Sequence, residues 1–459
     1  MANIAVLGLW HQASVLSACF ADMGHHVRGA GGDARSVDEL NAGRPPVREP
    51  RLPAMMRRNL RAGRLIYTTN YADALAGAEF AFLAVDTPVD ADDRPDLSSV
   101  FEEARRAARS MSGDLILCVT AQVAVGTCAV IQGLVESQRP GGVCEVAYVP
   151  EFLRLGTAVD TFRRADRFVI GARNSATAER IAALFAPLRR PIVVMGVRSA
   201  EMTKHASNAY LAASISFVNE IADLCDEVGA DIRDVVRGMR LDRRIGPNAF
   251  LTPGLGFAGG TLGREIRALQ QLAERRGRRT LLMDAVMAVN RGRARMVRDR
   301  LTRAYGSLEG LRVALLGLTY KSGTSTLRRS VALEIAAGLV EEGADVRVFD
   351  PDANLAEVRI PAGLSVAEDV YAAAEAADAL VLLTDWTGWR RLDFTRIKQR
   401  MRRPLILDVP NLLSPEDMRA LGFAYAGVGR GARFARDGVD QDENVEIDAM
   451  GEAGRDTER

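Results

Sequence analysis

Gly8-Leu9-Trp10-His11-Gln12-Ala13 stands between a β-branched run and a helical pattern. At such a junction a Gly-x-Gly-x-x-Gly turn lets a dinucleotide pyrophosphate approach the backbone and receive amide donors from the helix N-terminus. Here the first Gly is present, Trp10 takes the second position and Ala13 the third, so an indole stands where a phosphate would pass. The acid that would bind the ribose hydroxyls falls at Gly31. Asp33 comes two residues late, with Arg28 and Arg35 nearby, and an Arg in place of the acid is how a 2′-phosphate is accommodated. NAD, NADP, and a fold kept with altered or no dinucleotide binding all stay open. Two further segments, Ser199–Asn208 and Gly256–Glu265, are spaced to form one active site.

The elements that would carry these residues are expected to be α/β. Ile4–Leu7, Phe80–Val85, Leu115–Val119 and Arg167–Gly171 are largely continuous apolar runs, as in parallel strands buried on both faces. Helical stretches such as Val100–Ser110 separate them. From Ser199 the pattern changes: Met202 to Val228 has apolar residues at helical spacing without Pro or Gly, and Gly229 stops it. Leu262–Glu274 and Leu281–Tyr305 read as further helices. Alternation restarts at Leu311–Gly317 and continues through Val346–Asp350, Ala379–Leu383 and Leu405–Asp408. The expectation is two Rossmann-like doubly wound domains joined by a long helical central region: 1–198 for a dinucleotide, 199–305 helical with a possible dimer surface, 306–431 a second related nucleotide fold, and 432–459 a disordered acidic tail.

A chain of 459 residues with 48% hydrophobic and 26% charged residues fits a globular protein of about three domains. The net charge of +1 gives no strong pull toward nucleic acid or membrane. Five scattered cysteines argue against a disulfide framework or a zinc site, so no metal is expected. With no charged leader and no apolar run of about 18 residues, the chain reads as cytoplasmic.

The motifs resemble the UDP-glucose/GDP-mannose dehydrogenase family over about residues 1–430. Asn41–Pro50 is similar to that family's Asn-x-Gly-x-x-Pro-x-x-Glu-Pro. Val85-Asp86-Thr87-Pro88 with Asp96–Val100, Pro150-Glu151-Phe152-Leu153-Arg154, Asp166–Gly171, Asp242–Gly246, Gly317–Lys321, Arg328, Asp350-Pro351 and Thr384-Asp385-Trp386 follow in order. The segment Gly256–Glu265 resembles its Gly-Phe/Tyr-Gly-Gly-Ser-Cys-Phe-Pro-Lys-Asp. The resemblance implies NAD in the first domain, the nucleotide of a sugar in the last, and the sugar between them. It implies catalytic roles for Glu151, Lys204, Asn208, Thr261 and Glu265. Gly8 to Ala13 (including Leu9, His11 and Gln12), Asp33, Thr87, Gln122 and Arg264 are implied at the cofactor. Phe152, Leu153, Arg154, Arg244, Phe250, Leu251, Gly256, Gly259, Lys321 and Arg328 are implied at the substrate. An arginine like Arg244 comes from a partner subunit, which implies a homodimer.

The departures gather at the chemistry. Thr261 stands for the Cys nucleophile, Arg264 for Lys, Glu265 for Asp, Gln122 for Thr, Val149 for Asn and Ser214 for Lys. Oxidising CH₂OH to carboxylate takes two hydride transfers, and a thiolate holds the aldehyde between them. Threonine has no accessible anion near neutral pH, and His205 is expected beside Lys204 rather than beside Thr261. Three readings follow: a nucleotide-sugar dehydrogenase that captures the aldehyde as a hydrate or stops after one oxidation, an epimerase using transient oxidation, or a non-catalytic nucleotide-sugar-binding protein.

Overall fold

The computed structural model of the protein describes residues 1–89, 95–139, 143–431, 433–435 and 438–440. Its first sheet runs, edge to edge, Leu65–Thr68, His26–Ala30, Asn3–Leu7, Phe80–Leu83, Leu115–Val119, Cys144–Tyr148, Phe168–Gly171, Ile192–Met195. The second runs Leu364–Val366, Asp345–Phe349, Arg312–Leu316, Ala379–Leu382, Leu405–Asp408, Ala424–Gly427. Within each unit the first six strands take the same order, 3-2-1-4-5-6. The similar openings at Val6–Leu9 and Leu315–Leu318 belong to the same step of two doubly wound folds. Strands such as Leu115–Val119 and Leu405–Asp408 are buried at every residue, because helices cover both faces.

One expected parallel strand is corrected. Phe168–Gly171 meets Cys144–Tyr148 antiparallel, through Tyr148 and Gly171, and pairs parallel with Ile192–Met195. An apolar run buried on both faces carries no signal of direction.

The bridging helix Val197–Val228 is 32 residues long, five residues earlier in its start than the periodicity indicated. The expected boundary at 198/199 therefore falls inside its first turn. Gly196 caps its start, and Gly229 at φ +73° ends it in the left-handed conformation that favours glycine. Its Ala200 packs in the core of the first unit, and Val218, Ala222 and Cys225 pack in the core of the second. Ile232–Leu241, Leu262–Glu274 and Leu281–Tyr305 complete the helical region. The first of these escaped the sequence reading, although Asp231 caps it through the Arg233 amide. Of the tail, Arg433–Ala435 pairs antiparallel with Gly438–Asp440, and 441–459 lies outside the described residues.

Candidate active site

Four polar residues of the bridging helix, Glu201, Lys204, His205 and Asn208, are buried. Their spacing of three or four residues puts them on one helix face, turned toward the first sheet. Lys204 and Asn208 line a cavity of 890 Å³ together with Glu151, Phe152, Leu153, Arg154 and Thr261. Thus six of the expected catalytic and substrate residues, drawn from the loop after Cys144–Tyr148 and from the bridging helix, meet Thr261 in one space.

Lys204 is the electrostatic centre. Its Nζ donates to the Glu151 carbonyl oxygen, lies 3.6 Å from the Glu151 carboxylate and 4.9 Å from the centre of the Phe152 ring. Arg167 sits 4.5 Å from that same ring. The Glu151 carboxylate also accepts from the Leu153 amide at 2.5 Å, which fixes its direction. The Asn208 Nδ2 is buried without a hydrogen-bond partner among the described residues.

Thr261 caps the helix Leu262–Glu274 and is exposed to the cavity. No cysteine is among the residues lining that cavity, and all five are buried. Burial pushes the thiols of Cys19 and Cys144 up to about 12. No cysteine here substitutes for a nucleophile at 261.

Glu265 does not line the cavity. It is buried against the bridging helix, where its carboxylate pairs with His205 Nδ1, while His205 Nε2 bonds the Val123 carbonyl oxygen at 3.0 Å. His205 is therefore tied to the Thr261 helix one turn from Thr261, a link between residues 60 apart in the chain that the sequence did not signal. Arg264 turns the other way. It donates to the Thr87 Oγ1 at 2.7 Å, and burial lowers its tendency to hold its proton, opposed by Glu265, Asp86 and Glu151. Gln122 Nε2 and Arg264 Nε are, like Asn208, buried without partners.

The dinucleotide turn fits a pyrophosphate at its first glycine. Gly8 has φ +127°, and a Cβ there would lie 2.6 Å from the Ala84 carbonyl oxygen. The helix His11–Asp22 that follows has no acid in its first turn and no side-chain cap, so its leading amides are open to an anion. Gln12 bonds the Thr120 carbonyl at 3.0 Å, and Ala13 is buried in the core. Trp10, 37% exposed, lies beneath Arg328, whose guanidinium is 5.0 Å from the indole and 3.8 Å from Asp86. Leu9 fills the space beside Gly31. The Asp33 carboxylate is spent on the amide and hydroxyl of Ser36 as the cap of Ala34–Asn41.

A second buried acid, Glu49, organises the wall between the two ligand regions. Its carboxylate bonds His11 Nε2 at 2.8 Å, the Gly156 amide at 2.9 Å and the Ala158 amide at 2.7 Å. Lys321 reaches across from the second unit to the Leu155 carbonyl, and burial lowers its pKa. Gly156 and Gly323 touch so closely that a Cβ on Gly156 would be 2.8 Å from the Gly323 carbonyl oxygen. Gly256 and Gly259 both take positive φ, against Asn290 and Tyr320, with Asn290 bonding both backbone groups of Phe257. Leu251 is buried, whereas Phe250 is 48% exposed. Arg244 is exposed, paired with its own Asp242 at 2.6 Å, and is not among the residues lining the cavity.

Residues 2–189 match the NAD binding domain of the UDP-glucose/GDP-mannose dehydrogenase family, residues 198–292 its central domain and residues 314–415 its UDP binding domain. The chain is 39% identical over 442 residues to a UDP-glucose 6-dehydrogenase of Pseudomonas aeruginosa, covering 93% of this chain and 97% of the other. It is 37% identical to one of Rhizobium meliloti, covering 93% and 99%. The structure of a UDP-glucose dehydrogenase from Pyrobaculum islandicum superposes with a TM-score of 0.85 at 32% identity, covering 94% of this chain and 98% of that one. The cavity with Lys204 and Glu151, the glycine turn before His11 and these likenesses run the length of the fold, and the chain belongs to the UDP-glucose/GDP-mannose dehydrogenase family of NAD-dependent oxidoreductases.

Proposed function

We propose that the protein oxidises a CH–OH carbon of a UDP-sugar, in the manner of a UDP-glucose 6-dehydrogenase, without a thiol intermediate. The observation that carries this reading is the buried Lys204 ammonium beside the Glu151 carboxylate, 3.6 Å apart on the cavity wall. The unpartnered Asn208 amide on the same wall supports it, as do the relatives named for that activity.

Bound NAD supplies the hydride acceptor. Glu151 takes the proton released from the sugar hydroxyl, directly or through water. Lys204 and Asn208 face the oxygen on which charge develops, and in a water-poor cavity such donors are worth more than in bulk. The aldehyde formed first then adds water. Once Glu151 has returned its first proton to solvent it takes the proton of that water, and Lys204 and Asn208 hold the oxyanion of the hydrate. The hydrate gives up the second hydride to a second NAD, exchanged for the first NADH, and the acid so formed releases its proton to leave the carboxylate. The Thr261 hydroxyl hydrogen-bonds the hydrate and forms no covalent bond to it.

The exposed Tyr210, Phe217 and Leu224 of the bridging helix recur every seven residues on one face. Such an apolar stripe supports a homodimer, in which Arg244 would serve the partner's site. Five buried free thiols support a reducing compartment, the cytoplasm. No helix among the described residues is long and apolar enough to cross a membrane.

A second reading, a protein that binds a nucleotide sugar without turning it over, is favoured by Trp10, which stands at the second glycine position of the turn beneath Arg328. Incubation with NAD, then NADP, and a panel of UDP-, GDP- and dTDP-sugars separates the cases. Two NADH per uronate supports the proposal. One per aldehyde or ketone means a truncated oxidation. No reduction, with a nucleotide sugar bound in calorimetry, means the second reading.

A further inference from the structure

Between Leu241 and Leu262 the chain forms neither helix nor strand, yet this stretch delivers Thr261 to the cavity. A loop of this length has few backbone partners of its own, so its course must be held from outside. Asn219 of the bridging helix, fully buried, accepts from the Gly254 amide through Oδ1 at 2.8 Å. Arg293, on Leu281–Tyr305 and 3% exposed, donates from Nε to the Gly254 carbonyl at 3.1 Å. Both polar groups of Gly254 are thereby taken.

Three residues on, Asn290 does the same work alone. Its Oδ1 accepts from the Phe257 amide at 2.7 Å and its Nδ2 donates to the Phe257 carbonyl at 3.0 Å. A carboxamide carries an acceptor and a donor side by side, which a carboxylate or an apolar side chain does not. Gly256 makes room for it: at φ +82°, a Cβ there would lie 2.3 Å from Asn290 Oδ1. The Phe257 ring packs with Ala212, Ile215, Ile266, Val286 and Met287, so side chain and backbone are pinned together. Asn290 and Arg293 lie one turn apart on one helix, and Arg293 Nη1 is held by both Asp223 oxygens, at 2.8 and 2.6 Å. None of Asn219, Asn290 and Arg293 is among the residues lining the cavity. What they touch is the loop.

We infer that Asn290, with Asn219 and Arg293 behind Gly254, is a positioning residue for the nucleotide-sugar site. It fixes the path of Gly254–Thr261 so that the UDP-sugar meets a loop already shaped, and the ordering entropy is not charged against binding. The inference rests on the UDP-sugar reading above and names residues that serve the substrate without touching it.

The test is a calorimetric titration of UDP-glucose into the full chain and into Asn290→Leu, with NADH binding followed by fluorescence beside it. UDP-glucose is expected to bind the variant about tenfold or more weakly, because the loop must then be ordered on binding. NADH affinity and the thermal midpoint should stay close to those of the parent, which a general loss of structure would not allow. Equal UDP-glucose affinity, or an equal loss for both ligands, overturns the inference while leaving the UDP-sugar reading in place. A second measurement needs no variant and decides alone if Asn290→Leu does not fold. In the ligand-free parent the Gly254 and Phe257 amides should exchange with solvent about tenfold or more slowly than in an unstructured peptide. Exchange at the unstructured rate overturns the inference. A parent that binds no UDP-glucose overturns the reading beneath it as well.

Discussion

The imidazole of His205 joins the bridging helix to the helix that begins at Thr261, with Glu265 on one ring nitrogen and the Val123 carbonyl at 3.0 Å on the other. Because a carbonyl only accepts, Nε2 carries a proton, and one more proton is shared between Nδ1 and Glu265. The pair is buried on both sides, at 4% and 1% side-chain exposure. Replacing His205 by Leu leaves the Glu265 carboxyl without its partner, a change that costs about 3–5 kcal/mol. The double replacement His205→Leu/Glu265→Leu should recover much of that loss. Denaturation midpoints of the three proteins check this, and equal losses in single and double variants would sink the pairing.

Lys204 should be indispensable to rate. Lys204→Ala removes the buried cation facing the developing charge, and a loss of about 10²–10³ in kcat is expected. Steady-state NADH formation at saturating sugar measures it. A change confined to KM would mean that Lys204 serves binding alone.

Thr261→Cys should raise uronate formation relative to aldehyde by an order of magnitude or more. A thiol there would stand at a helix start in the cavity that Lys204 also lines, an environment that favours thiolate. Product masses at matched NADH yield give the readout. Thr261→Ser should leave the ratio near that of the parent, since it keeps the hydroxyl.

Trp10→Gly should tighten dinucleotide binding several-fold. It restores the second glycine of the turn and removes the ring beneath Arg328. Calorimetry with NAD checks it. Unchanged affinity would mean that the indole stands clear of the phosphate path.

Phe217→Asp should lower the mass seen in sedimentation from that of two chains to that of one, because it sets a charge in the middle of the exposed Tyr210, Phe217, Leu224 stripe. A monomeric parent protein would refute the expectation outright.

The architecture was legible where physics is local. Runs such as Leu115–Val119 announce buried strands because every residue is apolar, and Gly229 announces a helix end because only glycine takes φ +73° readily. The resemblance singled out Glu151, Lys204, Asn208, Thr261 and Glu265, and the first four line one space, while Glu265 is buried against His205 outside it. What escaped was set by tertiary contact. The reversed pairing of Phe168–Gly171 leaves the composition of the strand untouched. The roles of Glu49 and His205 depend on partners 107 and 60 residues away, beyond any window of periodicity.

Glu49 has one further consequence. A single carboxylate holds both the His11 turn, where the dinucleotide would dock, and the amides of Gly156 and Ala158 behind the Leu153–Arg154 wall. Any tightening of one end is felt at the other through this anchor. Linkage makes such communication symmetrical in free energy: if the first ligand firms the seat of the second, the second firms that of the first by the same factor. The two co-substrates are therefore expected to show heterotropic cooperativity, the affinity of each rising by the same factor when the other is bound.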